Sequence, residues 1–243
     1  MHVIIPARYG ATRLPGKPLR EVAGRPLILR VHERAVASGA ARVTVATDDE
    51  RIAHVVEAAG GEVVMTASHH ASGTDRIAEA IACLGLADDT VIVNLQGDEP
   101  LMPPALVASV ARALRDHPPW AMATAARRLH DPQAFANPHQ VKVVCEACGR
   151  ALYFSRAPIP WPRDPAAPPS FLGHIGLYAY RAGFVRLFTS WGPGNLEQRE
   201  GLEQLRALER GAAIGVVVTD ADPGPGVDTE EDLARANALW RPL

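Results

Sequence analysis

Cysteine is scarce in this chain, three residues in 243. Three thiols cannot close a disulfide framework, so the sequence predicts a fold held by its core in a reducing, cytoplasmic setting. Long apolar runs are missing too. None reaches the roughly 18 residues a membrane-spanning helix needs, and the apolar stretch 3–5 behind Met1 is too short, and too uncharged at its start, for a signal peptide. An excess of positive charge is also absent: 25 Lys and Arg against 27 Asp and Glu give a formal net charge of -2, without the basic footprint of a nucleic-acid binder. Neither a membrane nor a nucleic acid is therefore expected as partner. What the chain does have is apolar material, 47% of its residues, enough for the core of a single domain spanning 1–243.

The first half alternates strand and helix. Residues 2–6 (HVIIP), 42–47 (RVTVAT), 62–65 (EVVM) and 90–95 (TVIVNL) read as strands; 26–38, 50–60, 74–84 and 103–115 carry helical patterns. Gly60 closes the second helix as a cap, and proline opens the fourth. Short connections and near-continuous apolar strands predict an α/β fold, a doubly wound, mostly parallel sheet covered on both faces. From about 120 to 190 the pattern changes. WAMATAA, VKVVCE, ALYFSR and GLYAYR read as four strands with few helices between them, an antiparallel β insertion, with an exposed Pro-rich loop at 157–169. A helix over 196–210, the strand IGVVVTD and a terminal helix from about Glu230 complete the expectation.

Four segments carry chemistry. PARYGATRLPGKPL (6–19) follows the first strand, at the carboxyl end where open α/β sheets bind ligands. Arg8, Arg13 and Lys17 put three cations on one loop, and Gly10 and Gly16 let backbone approach an anion, as in a triphosphate cradle. It is not a P-loop: five residues separate its glycines, and Pro18 stands where a Ser or Thr is required. Its plain alternative is a solvated basic loop. VNLQGDEPLM (93–102) runs a buried strand into Asp98 and Glu99, carboxylates where magnesium ligands are wanted, Asp98 being the better placed. The plain alternative there is an Asp capping a turn. GPGVDTEEDL (224–233) offers Asp228 as a second magnesium ligand or, more simply, Asp228 or Thr229 as a helix cap. SGTDRIAEA (72–80) sets Ser72, Gly73, Thr74 and Asp75 at a helix start suited to a base or sugar contact, with Arg76 able to meet a carboxylate, against the alternative of a capped surface helix with a solvated arginine.

Two features are set aside. Cys145 and Cys148 form a lone CxxC, two ligands short of a zinc site, with Gly149 suited to a hairpin turn. His69 and His70, adjacent in an extended segment, are expected to face opposite ways and not to share a metal.

Taken together, PARYGATRLPGKPL, VATDDE, SGTDRIAE, VNLQGDEPLM, NPHQVKVV, ALYFSRAPIPW, HIGLYAYR, LEQLRAL and GVDTEEDL closely resemble the 3-deoxy-manno-octulosonate (KDO) cytidylyltransferases, in order over nearly the whole chain. The resemblance implies a nucleotidyltransferase domain whose antiparallel insertion binds sugar and builds a homodimer. It implies the reaction of CTP with KDO to CMP-KDO and pyrophosphate, for lipopolysaccharide biosynthesis. Arg13 and Lys17 would hold the triphosphate with Arg8 nearby, and main-chain groups near Ala7 and the 72–75 turn would read cytosine and ribose. Asp98 and Asp228 would hold the catalytic magnesium. Arg76, Gln96, Arg156, His174, Tyr178 and Glu203 would line the sugar pocket, with Arg76 or Arg156 meeting the sugar carboxylate. Competing readings are a cytidylyltransferase for sialic acid or an amino analogue of KDO, and a nucleotide-binding regulatory module without chemistry. The stretch 162–171 resembles the family least.

Overall fold

A computed structural model describes residues 1–10, 13–164 and 168–242. Parts of the expected basic loop (11–12) and of the Pro-rich loop (165–167) lie outside it. In chain order the elements are β1 (His2–Ala7), a 3-10 turn (Lys17–Leu19), the hairpin β2 (Glu21–Val22) and β3 (Arg25–Pro26), α1 (Leu27–Ala37), β4 (Arg42–Thr47), α2 (Glu50–Ala58), β5 (Glu62–Met65), α3 (Gly73–Cys83), β6 (Val91–Asn94) and α4 (Pro104–Asp116). Then follow β7 (Met122–Leu129), α5 (Pro132–Ala136), β8 (Lys142–Cys145), β9 (Ala151–Ser155), β10 (Phe171–Arg181), α6 (Ala182–Ser190), α7 (Asn195–Glu200), α8 (Gln204–Glu209), β11 (Ile214–Thr219) and α9 (Glu230–Leu239).

The central sheet has the order β11-β7-β10-β6-β1-β4-β5. β1 pairs parallel with β4 on one side and β6 on the other. The chain thus builds outward from β1 through β4 and β5, then returns to β1's other side. That reversal of direction is a topological switch point, and it opens a crevice beyond the carboxyl ends of β1 and β6. Alternation along β1 explains the two cores: Val3, Ile5 and Ala7 face one, with Ile28, Val31, Leu106 and Val110, while Ile4 faces the other, with Ile77, Ile81, Tyr180 and Phe188. A third cluster joins Leu14, Val22 and Leu27 to Val227, Leu233 and Ala236, seating the loop after β1 against α9.

The stretch 120–190 leaves the sheet only in part. β7 and β10 are members of the main sheet, β10 antiparallel to both β6 and β7, and β11 returns parallel to β7. The β8–β9 hairpin alone branches off, through the start of β10. β10 is also longer than the expected GLYAYR. It extends back to Phe171 across an irregularity between Ile175 and Tyr178. The expected helix 196–210 is two short ones, separated at Gly201, whose φ of 60° ends α7 in the left-handed region. α5, α6 and the β2–β3 hairpin were not anticipated.

Candidate active site

The loop after β1 is positioned by its own turn. Gly16 takes φ 66°, with the ring of Tyr9 lying where a side chain would begin (Oη 3.1 Å from an ideal Cβ). Pro18 is buried beside it, and Leu14 locks into the cluster with Val227 and Leu233. Lys17 therefore points at α9's approach rather than at water.

Two acids meet it there. The Lys17 ammonium donates to Asp98 Oδ2 at 2.7 Å and to Asp228 Oδ1 at 2.9 Å, and Arg13 donates to the other Asp228 oxygen at 2.9 Å. Carboxylates 130 positions apart in sequence thus lie within two hydrogen bonds of each other. Neither acid caps a helix. Thr229 caps α9, in a capping box with Asp232, which leaves the Asp228 carboxylate free, and α4 begins after Pro103 without any side-chain cap. Burial alone would push the Lys17 ammonium down; the charges and hydrogen bonds of Asp98 and Asp228 outweigh it and hold its pKa above the usual lysine value. Glu99 sits beside the pair, its carboxyl pushed up to about 8 by burial and by the charges of Asp98 and Asp228. It is therefore mostly protonated at neutral pH and adds little to the local negative charge.

These groups form one end of a cleft of about 260 Å³, walled by Ala7, Arg8, Arg13, Lys17, Ser72, Gly73, Arg76, Gln96, Gly97, Asp98 and Asp228, with Pro6, Pro18, His70 and Ala71 completing it. Gly97 forms its floor because nothing larger fits: an added Cβ would stand 2.8 Å from the Pro6 carbonyl oxygen. Ser72 caps α3 and Asp75 returns the bond, so the capped-helix alternative is what these two side chains do, while Ser72 and Gly73 still face the cleft. Arg76 is not a solvated arginine. Its side chain is 4% exposed, donating to Asp48 Oδ2 at 2.8 Å and to Thr66 Oγ1 at 2.5 Å.

Behind Gln96 lies a second polar group. Gln96 donates to Asn94 Oδ1 at 2.9 Å, and Tyr180 bonds Asn94 and Thr74. Thr74 donates to Glu203 Oε2 at 2.7 Å, while Glu203 Oε1 and Gln204 Nε2 are buried with no hydrogen-bond partner among the described residues, Glu203 Oε1 lying 4.0 Å from the Arg206 guanidinium. Tyr178 pairs across the sheet with Asn94 and Thr124, and its ring lies 5.5 Å from that of His174. The Thr124 hydroxyl has one proton, and the Leu177 carbonyl at 2.8 Å takes it. Thr124 must then accept from His174 Nε2 at 2.9 Å, which leaves His174 Nδ1 as the acceptor face of a neutral ring. Burial pushes His174 down to about 3, consistent with that neutral state.

The expected site residues therefore fall into two neighbouring groups. Ala7, Arg8, Arg13, Lys17, Ser72, Gly73, Arg76, Gln96, Asp98 and Asp228 line the cleft; Thr74, His174, Tyr178 and Glu203 gather behind Gln96. Asp75 and Arg156 join neither: the Asp75 carboxylate accepts from the Ser72 backbone N–H and hydroxyl. The Arg156 guanidinium is committed to three backbone carbonyls, those of Pro138, Glu200 and Gly201.

His70, Asp48, Asn94, Thr124 and Tyr180 were missed. The expectation that His69 and His70 face opposite ways is corrected: their segment turns, and the rings are neighbours at 5.1 Å. His70 pairs with Glu79 and walls the cleft. The spacing signal that could have found Tyr180 is its i+2 relation to Tyr178 on one strand. The Asp48–Arg76 pair has no local signal. Cys145 ends β8 and Cys148 lies within the hairpin turn just before Gly149, and among the described residues no three His, Cys, Asp or Glu side chains gather as a metal cluster.

A family model described as Cytidylyltransferase matches residues 2–214. The chain belongs to the cytidylyltransferase family. A 3-deoxy-manno-octulosonate cytidylyltransferase of Hahella chejuensis is 53% identical over 98% of this chain and 96% of its own. A solved structure of a CMP:2-keto-3-deoxy-manno-octonic acid synthetase complexed with CTP superposes with a TM-score of 0.91, at 42% identity, over 98% of this chain and 96% of that one. As a cytidylyltransferase the chain is a nucleotidyltransferase, and the doubly wound α/β fold with its antiparallel branch agrees with that solved structure. The regulatory-module reading has no support in these likenesses.

Proposed function

We propose that this chain catalyses the reaction of CTP with 3-deoxy-manno-octulosonate to CMP-KDO and pyrophosphate, in the cytoplasm, where the nucleotide pool lies, and for lipopolysaccharide assembly. The observation that carries the reading is the convergence of Asp98 and Asp228 on one cation at the β1/β6 crevice, beside three further cations, in a chain so similar to KDO cytidylyltransferases.

The bond formed joins the sugar's anomeric oxygen to the α-phosphorus of CTP; the bond broken frees pyrophosphate, and the hydroxyl proton is lost. Arg8, Arg13 and Lys17 bind the triphosphate and stabilise the departing pyrophosphate. Backbone at Ala7 and the Ser72–Gly73 turn takes the base and ribose, with Thr74 and Asp75 holding the turn. Gln96, His174 Nδ1, Tyr178 and Glu203 supply acceptors and donors for sugar hydroxyls, and the buried Glu203 oxygen that accepts no hydrogen bond among the described residues supports that role. Arg76, which reaches the cleft, is our partner for the sugar carboxylate in place of Arg156, whose guanidinium is committed to backbone carbonyls outside it.

Asp98 and Asp228 fit magnesium, which takes hard oxygen ligands, usually one or two protein carboxylates completed by phosphate and water. Bound there, the ion would supply Lewis-acid activation of the hydroxyl and neutralise charge at the α-phosphate. A homodimer is supported by apolar side chains left exposed on the branch and the adjoining edge: Leu152 on β9, Trp161 beyond it and Val218 on β11, where an Arg150–Gly215 bridge brings the two together.

Pyrophosphate release with CTP and a panel of KDO, its amino analogue and sialic acid, with and without EDTA, tests the reading. KDO is expected to give the highest kcat/KM, and EDTA to abolish turnover. Preference for another acid would overturn the substrate, and turnover surviving chelation would overturn the metal.

A further inference from the structure

The three cations of the loop after β1 are not equivalent. Arg8 is exposed and has no ion pair among the described residues. Arg13 is paired, but its side chain is 67% exposed and its partner Asp228 is 46% exposed, so that bond is lightly held. Lys17 is 14% exposed and bonded to both acids at once. Its ammonium stands where the two carboxylates converge, which is also where the proposed magnesium must stand.

We propose that Lys17 is the resident counter-ion of the Asp98–Asp228 pair in the nucleotide-free protein, and that a divalent cation replaces it only as the triphosphate arrives to receive the displaced ammonium. The inference rests on the metal reading above and adds a binding order to it. Without a counter-ion the two acids would face each other as like charges in a partly buried site. With Lys17 between them they are neutralised by a group that is tethered and never diffuses away. A divalent cation arriving alone has to break two short charge-assisted bonds and leave a lysine with no anion nearby. When CTP arrives, its phosphates supply that anion, and the unpaired Arg8 can make the first contact. Lys17 then swings from acid to phosphate, and the carboxylates become available together. Metal and nucleotide are thereby coupled positively, and the coupling is reciprocal.

The test is Mn²⁺ binding to the full chain without nucleotide, read from the electron paramagnetic resonance signal of the free ion. Lys17→Met, neutral and of similar length, is expected to bind Mn²⁺ about tenfold or more tightly than wild type, within the usual range of site-to-site coupling. That gain is expected to vanish when Asp98→Asn is added. Equal Mn²⁺ affinity in wild type and Lys17→Met would overturn the proposal. Failure of Asp98→Asn to weaken Mn²⁺ binding in the presence of CTP would instead overturn the metal reading itself.

Should Lys17→Met not fold, the wild type serves. The Lys17 Cε–H resonance is expected to stay put on adding Mg²⁺ alone and to move on adding Mg²⁺ with CTP. Movement to the same position with Mg²⁺ alone would sink the idea.

Discussion

The backbone N–H of Val227 donates to the carbonyl oxygen of Asp98 at 2.9 Å. That bond fixes the residue before Asp228 onto the residue that carries the other acid. Gly226 and Gly224 press against the same loop, with ideal Cβ positions 3.0 Å from Glu99 Oε1 and 2.6 Å from Leu101 Cδ1. The separation of the two acids is therefore set by backbone, and Lys17 binds a pair that is already formed.

Asp98→Asn and Asp228→Asn are accordingly expected to fold normally. Each leaves Lys17 one charged partner, and neither removes the Val227 bond. Both should still bind CTP through the Arg8, Arg13 and Lys17 loop, yet lose about 100-fold or more in turnover, as when a group that stabilises transition-state charge is removed. Nucleotide titration by calorimetry alongside pyrophosphate release checks this. Wild-type rates in either variant would refute the mechanism.

Gly97→Ala attacks the crevice from below. The new methyl would meet the Pro6 carbonyl oxygen at 2.8 Å, a backbone atom of β1 that cannot rotate away. The ends of β1 and β6 must separate. The expected cost is about 1–3 kcal/mol, the range for overpacking a filled site, with turnover falling further than stability alone explains because Asp98 follows directly. Denaturant unfolding gives the first quantity. A variant as stable and active as wild type would mean that the crevice floor is pliant.

How much of this was legible in sequence depends on how local the cause is. The strands of the first half were readable because burial on both faces leaves near-continuous apolar runs such as VIVN, and the loops after β1 and β6 were readable because charge concentrates there. α6 was not. It follows β10 without a break, Arg181 makes no capping side-chain bond, and Gly183, a poor helix former, is there because Asp88 lies 3.0 Å from where its Cβ would be. That reason is tertiary. The length of β10 was hidden by its irregularity at Gly176, where the Thr124 hydroxyl, from the distant strand β7, donates to the Leu177 carbonyl. Arg76 and Arg156 show the same limit: the sequence marks them as cations near the site, but only the fold reveals that Asp48 already holds one and three carbonyls the other.

Asp48→Asn tests the first of those arrangements. The Arg76–Asp48 pair is nearly buried, with side chains 4% and 13% exposed, and stripping the charge from one partner of such a pair costs about 3–5 kcal/mol when the other is left uncompensated. The retained amide oxygen places the expectation at the low end. Because Arg76 also loses its fixed orientation, KM for the acidic sugar should rise more than KM for CTP, and Asp48→Glu should restore part of both effects. Equal changes in the two KM values would reduce Asp48 to a structural residue.

The buried histidines predict how stability depends on acid. Burial pushes His174 down to about 3 and His2 down to about 4, the latter with help from Arg42. In the unfolded chain both take a proton near 6.5. Between those values the unfolded state binds protons that the native state refuses, so stability is intact above pH 6.5 and falls as the pH drops towards 4 and 3. For His174 the loss at pH 5 amounts to ~2 kcal/mol, set by the unfolded value alone while the native ring stays neutral. Glu99 acts in the opposite sense, its native pKa of about 8 lying above the ordinary 4.5, so its contribution is lost as the pH rises from 4.5 through 8. The histidine effect is therefore isolated as a difference. His174→Gln retains a donor for Thr124 and leaves Glu99 untouched, and its unfolding free energy should fall less steeply than that of wild type between pH 6.5 and 4.5. Parallel curves would mean that His174 takes a proton in the native protein as readily as in the unfolded chain, which would overturn the buried, persistently neutral ring assigned here.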